Sequence, residues 1–151
     1  MKIFTSYYAN IKNIPDDYIL VSISGGLTKE IENSIDYWDK YFAPSLDIFT
    51  EFKKSELPNK EEIYVRRFKD EVLGNRDINE ILKSWTDKFG KDKKYVMLCY
   101  ETPEDFCHRQ IVAEAIENKY GIEVNEIGID NNYVRKDFKF KIKENFDEDE
   151  W

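Results

Sequence analysis

Four residues within one short stretch carry side chains that can do chemistry together: Cys99, Cys107, His108 and Arg109. They include both cysteines and the only histidine of the 151-residue chain. Cys107 stands where a helical pattern begins. There the unpaired N–H groups and the helix dipole stabilise a thiolate, and the cationic neighbours His108 and Arg109 act in the same direction. Cys107 is therefore read as a nucleophile or ligand-facing thiol, and as the more reactive of the two cysteines. His108 is the one imidazole available to move a proton near neutral pH. Glu101, at the end of the preceding apolar run, is the alternative carrier. Arg109 offers a fork for a phosphate or carboxylate, with an ion pair to Glu114 or Glu104 as the plainer alternative. Cys99 lies inside the apolar run, where a free thiol behaves as a small hydrophobe, yet its spacing makes it a second catalytic candidate.

Sharper chemistries fail on spacing. A phosphatase cradle needs an arginine six positions after its cysteine, and neither cysteine has one. Cys99, Cys107 and His108 supply three donors but no usual pair of zinc knuckles, so no metal is assigned and no cofactor is named. Seven residues separate the thiols, unlike the C-x-x-C of a redox pair.

The elements that must position these groups follow from periodicity. Lys94–Glu101 has strand length and composition, Thr102–Asp105 is a polar turn, and Gln110–Tyr120 is helical. Ile111, Val112, Ala115 and Ile116 form the buried stripe and Gly121 the stop; the helix is expected to begin between Pro103 and Phe106. Strand, loop, helix is the half-unit of a parallel α/β sheet, in which ligands bind at the carboxyl ends of strands. Residues 1–8 and 18–24 read as two further strands, the second buried on both faces. Their ends carry hydroxyls, and Ser6, Tyr7 and Ser24 are candidate ligand-binding residues, although such groups equally satisfy loop backbone. Gly25-Gly26 reads as a plain turn.

Between residues 28 and 43 the aromatic cluster Tyr37, Trp38, Tyr41 and Phe42 is core or a lid over a pocket. Residues 45–53 read as a helix with Leu46, Phe49 and Phe52 on one side. Residues 61–73 form an amphipathic helix burying Tyr64, Phe68 and Val72, with Arg66 and Arg67 solvated beside Glu62 and Asp70. Asp77 to Glu80 opens a helix that carries Ile81, Leu82, Trp85 and Phe89 to Gly90. Residues 122–129 suit another parallel strand and 137–143 an edge strand.

The fold class expected is α/β: one three-layer, Rossmann-like domain over residues 1–143, its short, mostly parallel sheet flanked by helices. Residues 144–151 read as a flexible acidic tail. A net charge of −8, from 23 basic and 31 acidic residues, argues against unaided nucleic-acid binding. No apolar run reaches the ~20 residues a membrane span needs. Few cysteines and no signal-peptide pattern point to a reducing cytoplasm.

The Cys-x7-Cys-His-Arg core, with Leu98-Cys99-Tyr100-Glu101 before it and an Ile-Val-Ala-Glu helix after it, resembles the signature of the domain-of-unknown-function 488 family. Thr5 to Asn10, Ser22-Ile23-Ser24 and Ala43-Pro44-Ser45 are similar to one branch of that family. The resemblance implies a small α/β protein of bacteria or phages with a site at Cys99, Cys107, His108 and Arg109, and names no substrate. The function expected is a small cytoplasmic enzyme, a hydrolase or transferase. It would bind a phosphate- or carboxylate-bearing metabolite, with a nucleotide foremost, at a Cys/His/Arg centre. Arg109, Ser6, Tyr7 and Ser24 would hold this small, anionic ligand. The alternative is a non-catalytic acidic binding or inhibitor protein that engages a basic partner or mimics nucleic acid.

Overall fold

Short apolar and β-branched runs, those of β1 and β4 buried on both faces, build a six-stranded sheet in the computed structural model, which describes residues 1–135. The strands are β1 (Lys2–Tyr7), β2 (Ile19–Ser22), β3 (Tyr37–Trp38), β4 (Lys94–Cys99), β5 (Asn125–Ile127) and β6 (Tyr133–Val134). They lie in the order β3-β2-β4-β1-β5-β6, all parallel except the β5–β6 pair. β4 is internal, hydrogen-bonded to β1 on one side and β2 on the other, with Tyr7 opposite Cys99 and Ser22 opposite Leu98. This is the Rossmann-like α/β arrangement expected of strand–loop–helix units.

The period of two along β4 divides the core. Tyr95, Met97 and Cys99 face the larger cluster, which holds Ile48 of α2 (Leu46–Lys54), Tyr64 and Val65 of α3 (Lys60–Arg67), Trp85 of α4 (Ile78–Phe89) and Ile111 and Ile116 of α5 (His108–Tyr120). Val96 and Leu98 face a smaller cluster with Phe4, Tyr8, Tyr18 and Ile127, covered by a 3-10 turn over 8–13 and by Ile31 of the short α1 (Lys29–Glu32). Of the aromatic cluster before Pro44, Phe42 belongs to the core, fully buried edge-on to Trp85, whose indole N–H donates to buried Asp39 at 2.6 Å; Tyr37 and Trp38 are half-buried and Tyr41 is exposed.

Several expectations shift. α5 starts at His108 rather than between Pro103 and Phe106, because Thr102–Asp105 closes its own turn (Asp105 N–H to Thr102 O, 3.0 Å). Cys107 is then left extended at the N-cap, at φ −148° and ψ 144°. The helix over 61–73 is α3 continued through a π-turn at Phe68–Val72 and a 3-10 turn at Leu73–Asn75, with Tyr64, Phe68 and Val72 buried as expected. Arg67 pairs with Glu71 and Glu51 at 2.7 Å instead of with Glu62 or Asp70. Along α2, Phe52 of the expected side packs half-buried against the larger cluster, but Leu46 and Phe49 are exposed and the fully buried residue is Ile48. The strand expected over 137–143 and the acidic tail of 144–151 lie outside the described residues. Among the described residues no helix is long and apolar enough to cross a membrane.

Candidate active site

At the carboxyl ends of β2 and β4 a cavity of about 780 Å³ opens. The end of β2 contributes Ser24, Gly25 and Gly26, and the corner after β4 contributes Cys99, Tyr100 and Glu101. The amino terminus of α5 adds Cys107 and His108. Tyr100 bridges two of these segments, its hydroxyl donating to Gly26 O at 3.0 Å. A wall made by Phe52, Tyr64 and Phe106, with ring centroids 5.0–5.3 Å apart, closes one side. Lys53, Lys60, Leu46 and Phe49 also line the cavity.

The thiols meet at its floor. Cys99 Sγ and Cys107 Sγ are 2.7 Å apart, both buried and both free. The extended N-cap backbone of Cys107 turns its side chain back toward the end of β4, where strand pairing fixes Cys99. His108 Nε2 is 2.6 Å from Ile23 O, an acceptor only, so the proton sits on Nε2 and Nδ1 faces Cys107 Sγ at 3.9 Å. The histidine is thus oriented by β2 and aimed at one thiol.

Burial would push the Cys107 thiol up. The hydrogen bond from Cys99 and the charge of His108 outweigh it and hold Cys107 well below the usual thiol range. Burial, then the bond to Cys107, drive Cys99 well above that range. His108 is raised, because the Cys107 charge overcomes the burial that would lower it. Glu101 is raised by burial and by the same charge. The consistent protonation state is a Cys107 thiolate, a Cys99 thiol donating to it, a His108 imidazolium and a Glu101 carboxyl held toward its neutral form.

Arg109 is fully buried and lies outside the cavity lining. Its fork closes on Glu126 (Nη2–Oε2 2.8 Å, Nε–Oε1 3.2 Å), its Nη1 donates to Glu101 O at 2.7 Å, and Nη1 lies 3.8 Å from Cys99 Sγ. The anion it holds belongs to the protein, and its partner is neither Glu114 nor Glu104. An arginine so placed pins the corner that carries Glu101. Ser6 and Tyr7 also lie outside the cavity lining. Ser6 donates to Ile127 O at 2.9 Å and accepts from Asn10, tying β1 to β5. Ser24 lines the cavity, its hydroxyl 2.8 Å from Tyr8 Oη.

Sequence reasoning missed Glu126, Lys53, Lys60 and the aromatic wall. The lysines and Phe49 had a signal, an apolar helix stripe interleaved with cations. Glu126 had none, since only strand pairing brings β5 beside Thr5 of β1.

The pH response of the thiols follows directly. Because Cys107 is held below its ordinary range, its alkylation by a neutral reagent should stay fast as pH falls through about 8.5, the free-thiol value, and decline only at the depressed value. Cys99 should stay unlabelled until the protein unfolds. Peptide mass analysis of the labelled protein checks both; faster labelling at Cys99 would reverse the assignment.

The family whose model matches this chain, over residues 12–120, is DUF488-N3a, described as the active DUF488-N3 subclade. No curated protein and no solved structure matches.

Proposed function

We propose, for a chain that belongs to the DUF488 family in its active N3 subclade, that it is a cytoplasmic thiol enzyme in which Cys107 is the nucleophile. The observation that carries this reading is the placement of Cys107 on the cavity floor, between a second thiol and an oriented histidine. Ion pairing with a histidine is a recurrent means of activating a cysteine.

In the first step the Cys107 thiolate forms a bond to an electrophilic carbon of the substrate and the bond to the leaving group breaks. Glu101, held toward its neutral form, gives that group its proton. In the second step Glu101 takes a proton from water or from an acceptor, whose oxygen or nitrogen bonds the carbon and releases the thiolate. Water makes the enzyme a hydrolase and an acceptor makes it a transferase. His108 keeps Cys107 ionised before the first step and receives it as a thiolate after the second, and Arg109 fixes the corner bearing Glu101.

The ligand class follows from the walls. Phe49, Phe52, Tyr64 and Phe106 offer faces and edges to a planar group, and Lys53 and Lys60 offer cations to a phosphate or carboxylate. A nucleotide combines both parts. The concave site, with its reactive groups turned inward, favours an enzyme over an acidic inhibitor with a flat binding face.

The test is to identify small molecules released on denaturation, and to incubate the protein with nucleotides while searching for a mass adduct on Cys107. Lys53→Ala with Lys60→Ala should weaken the identified ligand by roughly tenfold, about 1.4 kcal/mol, in calorimetric titration. Unchanged affinity in that double variant would remove the lysines from the site. Tight binding with neither adduct nor turnover would leave a binding module.

A further inference from the structure

We propose that Cys99 and Cys107 are a dithiol–disulfide couple, with Cys99 resolving Cys107 after a hydroperoxide oxidises it. The inference rests on the reading of Cys107 as a cavity-facing thiolate, and extends it to a reversible modification of the same site.

Three observations converge. The two sulfurs are in contact at 2.7 Å, although the residues stand on a strand and at a helix cap. Both line a cavity that admits a small oxidant. Their roles are unequal in geometry as well as in charge: His108 Nδ1 faces Cys107, whereas Arg109 Nη1 lies beside Cys99. Arg109 can therefore stabilise the thiolate that Cys99 must become.

The steps balance. The Cys107 thiolate attacks one oxygen of R–O–O–H, the O–O bond breaks, and the departing alkoxide takes a proton as ROH. This leaves Cys107 as a sulfenic acid. Cys99 sulfur then attacks the sulfenic sulfur; the S–S bond forms, hydroxide leaves and takes the Cys99 proton as water. A small dithiol then reduces the Cys99–Cys107 disulfide by exchange, returning both residues to thiols, and is itself oxidised to its disulfide. In the disulfide the nucleophile is masked, and over-oxidation of Cys107 to sulfinic acid is prevented.

The same donors, Cys99, Cys107 and His108, have ligand atoms within 4.8 Å of one another and define the competing use, a soft metal ion. A tetrahedral zinc about 2.3 Å from each sulfur sets the two sulfurs roughly 3.8 Å apart. The two sulfurs stand closer than that spacing, at 2.7 Å, and the Arg109 guanidinium beside Cys99 opposes a further cation.

The reduced full-length protein and its Cys99→Ser and Cys99→Ala variants should be treated with hydrogen peroxide and examined by intact and peptide mass. Two replacements guard against one that misfolds. The native chain should lose two hydrogens, link Cys99 to Cys107, and recover an alkylatable Cys107 completely with dithiothreitol. The variants should go on to sulfinic acid at Cys107, adding two oxygens, and lose that recovery. Oxygen added to native Cys107 as readily as in the variants would overturn the couple, as would stoichiometric zinc that must leave before oxidation. Disulfide formation in a protein without turnover would leave the couple standing and sink only the catalytic reading.

Discussion

Cys107→Ser should lower kcat/KM on an identified substrate by roughly 10⁴-fold or more, the scale on which covalent enzymes lose activity when the nucleophile is replaced. Serine is nearly isosteric but does not ionise in this range, so the His108 pair disappears along with the nucleophile. The fold should change little, by about 1 kcal/mol, because the N-cap backbone and the packing of α5 are unaltered. The pH profile of the native enzyme provides the control. Activity should fall on the acid side as Cys107 gains its proton at the depressed value. On the alkaline side it should fall as Glu101 loses its proton, at a value that burial and the Cys107 charge raise from its ordinary one. Glu101→Gln should flatten the alkaline limb and leave the acid limb in place. Stopped activity in Cys107→Ser with both limbs unmoved in Glu101→Gln would keep the nucleophile and return the proton transfer to His108.

The second large effect concerns stability. Arg109→Ala should destabilise the protein by roughly 3–5 kcal/mol, since it leaves Glu126 charged and buried without its counter-ion. Glu126 retains only the hydroxyl of Thr5, and the Glu101 carbonyl loses its donor. Arg109→Lys should recover part of the loss: an ammonium keeps the charge, but not the fork that meets both carboxylate oxygens. Arg109→Met with Glu126→Leu should recover more, because neither charge is then buried. Urea unfolding of the four proteins, with unchanged slopes, measures this. A fold left intact by Arg109→Ala, together with weaker binding of a phosphate-bearing ligand, would place the guanidinium in the cavity after all.

Local rules legible in the chain account for much of what was found. The apolar run through Tyr95–Cys99, the helical stripe at Ile111 and Ile116 and the stop at Gly121 gave the strand, the helix and their parallel setting, because run length, period and capping are properties of neighbouring residues. They also brought Cys99, Cys107 and His108 to one crossing, since seven residues, four of them spent on a turn, join the strand end to the helix cap. Which way each side chain turns was not legible. Cys107 faces Cys99 because its backbone is extended at the cap, a consequence of Thr102–Asp105 closing a separate turn. The arginine was visible as a charge two residues past that cap, but its partner arrives on β5 through pairing with β1, a contact between distant parts of the chain. The hydroxyls of Ser6 and Ser24 looked alike as strand ends. Ser6 bonds the backbone of β5 and Ser24 reaches the cavity, because β1 is flanked at its end and β2 opens toward α2. Burial is a sum over the whole fold, so it decided which charges became structure, Arg109 and Glu126, and which remained at the cavity, Lys53, Lys60 and Glu101.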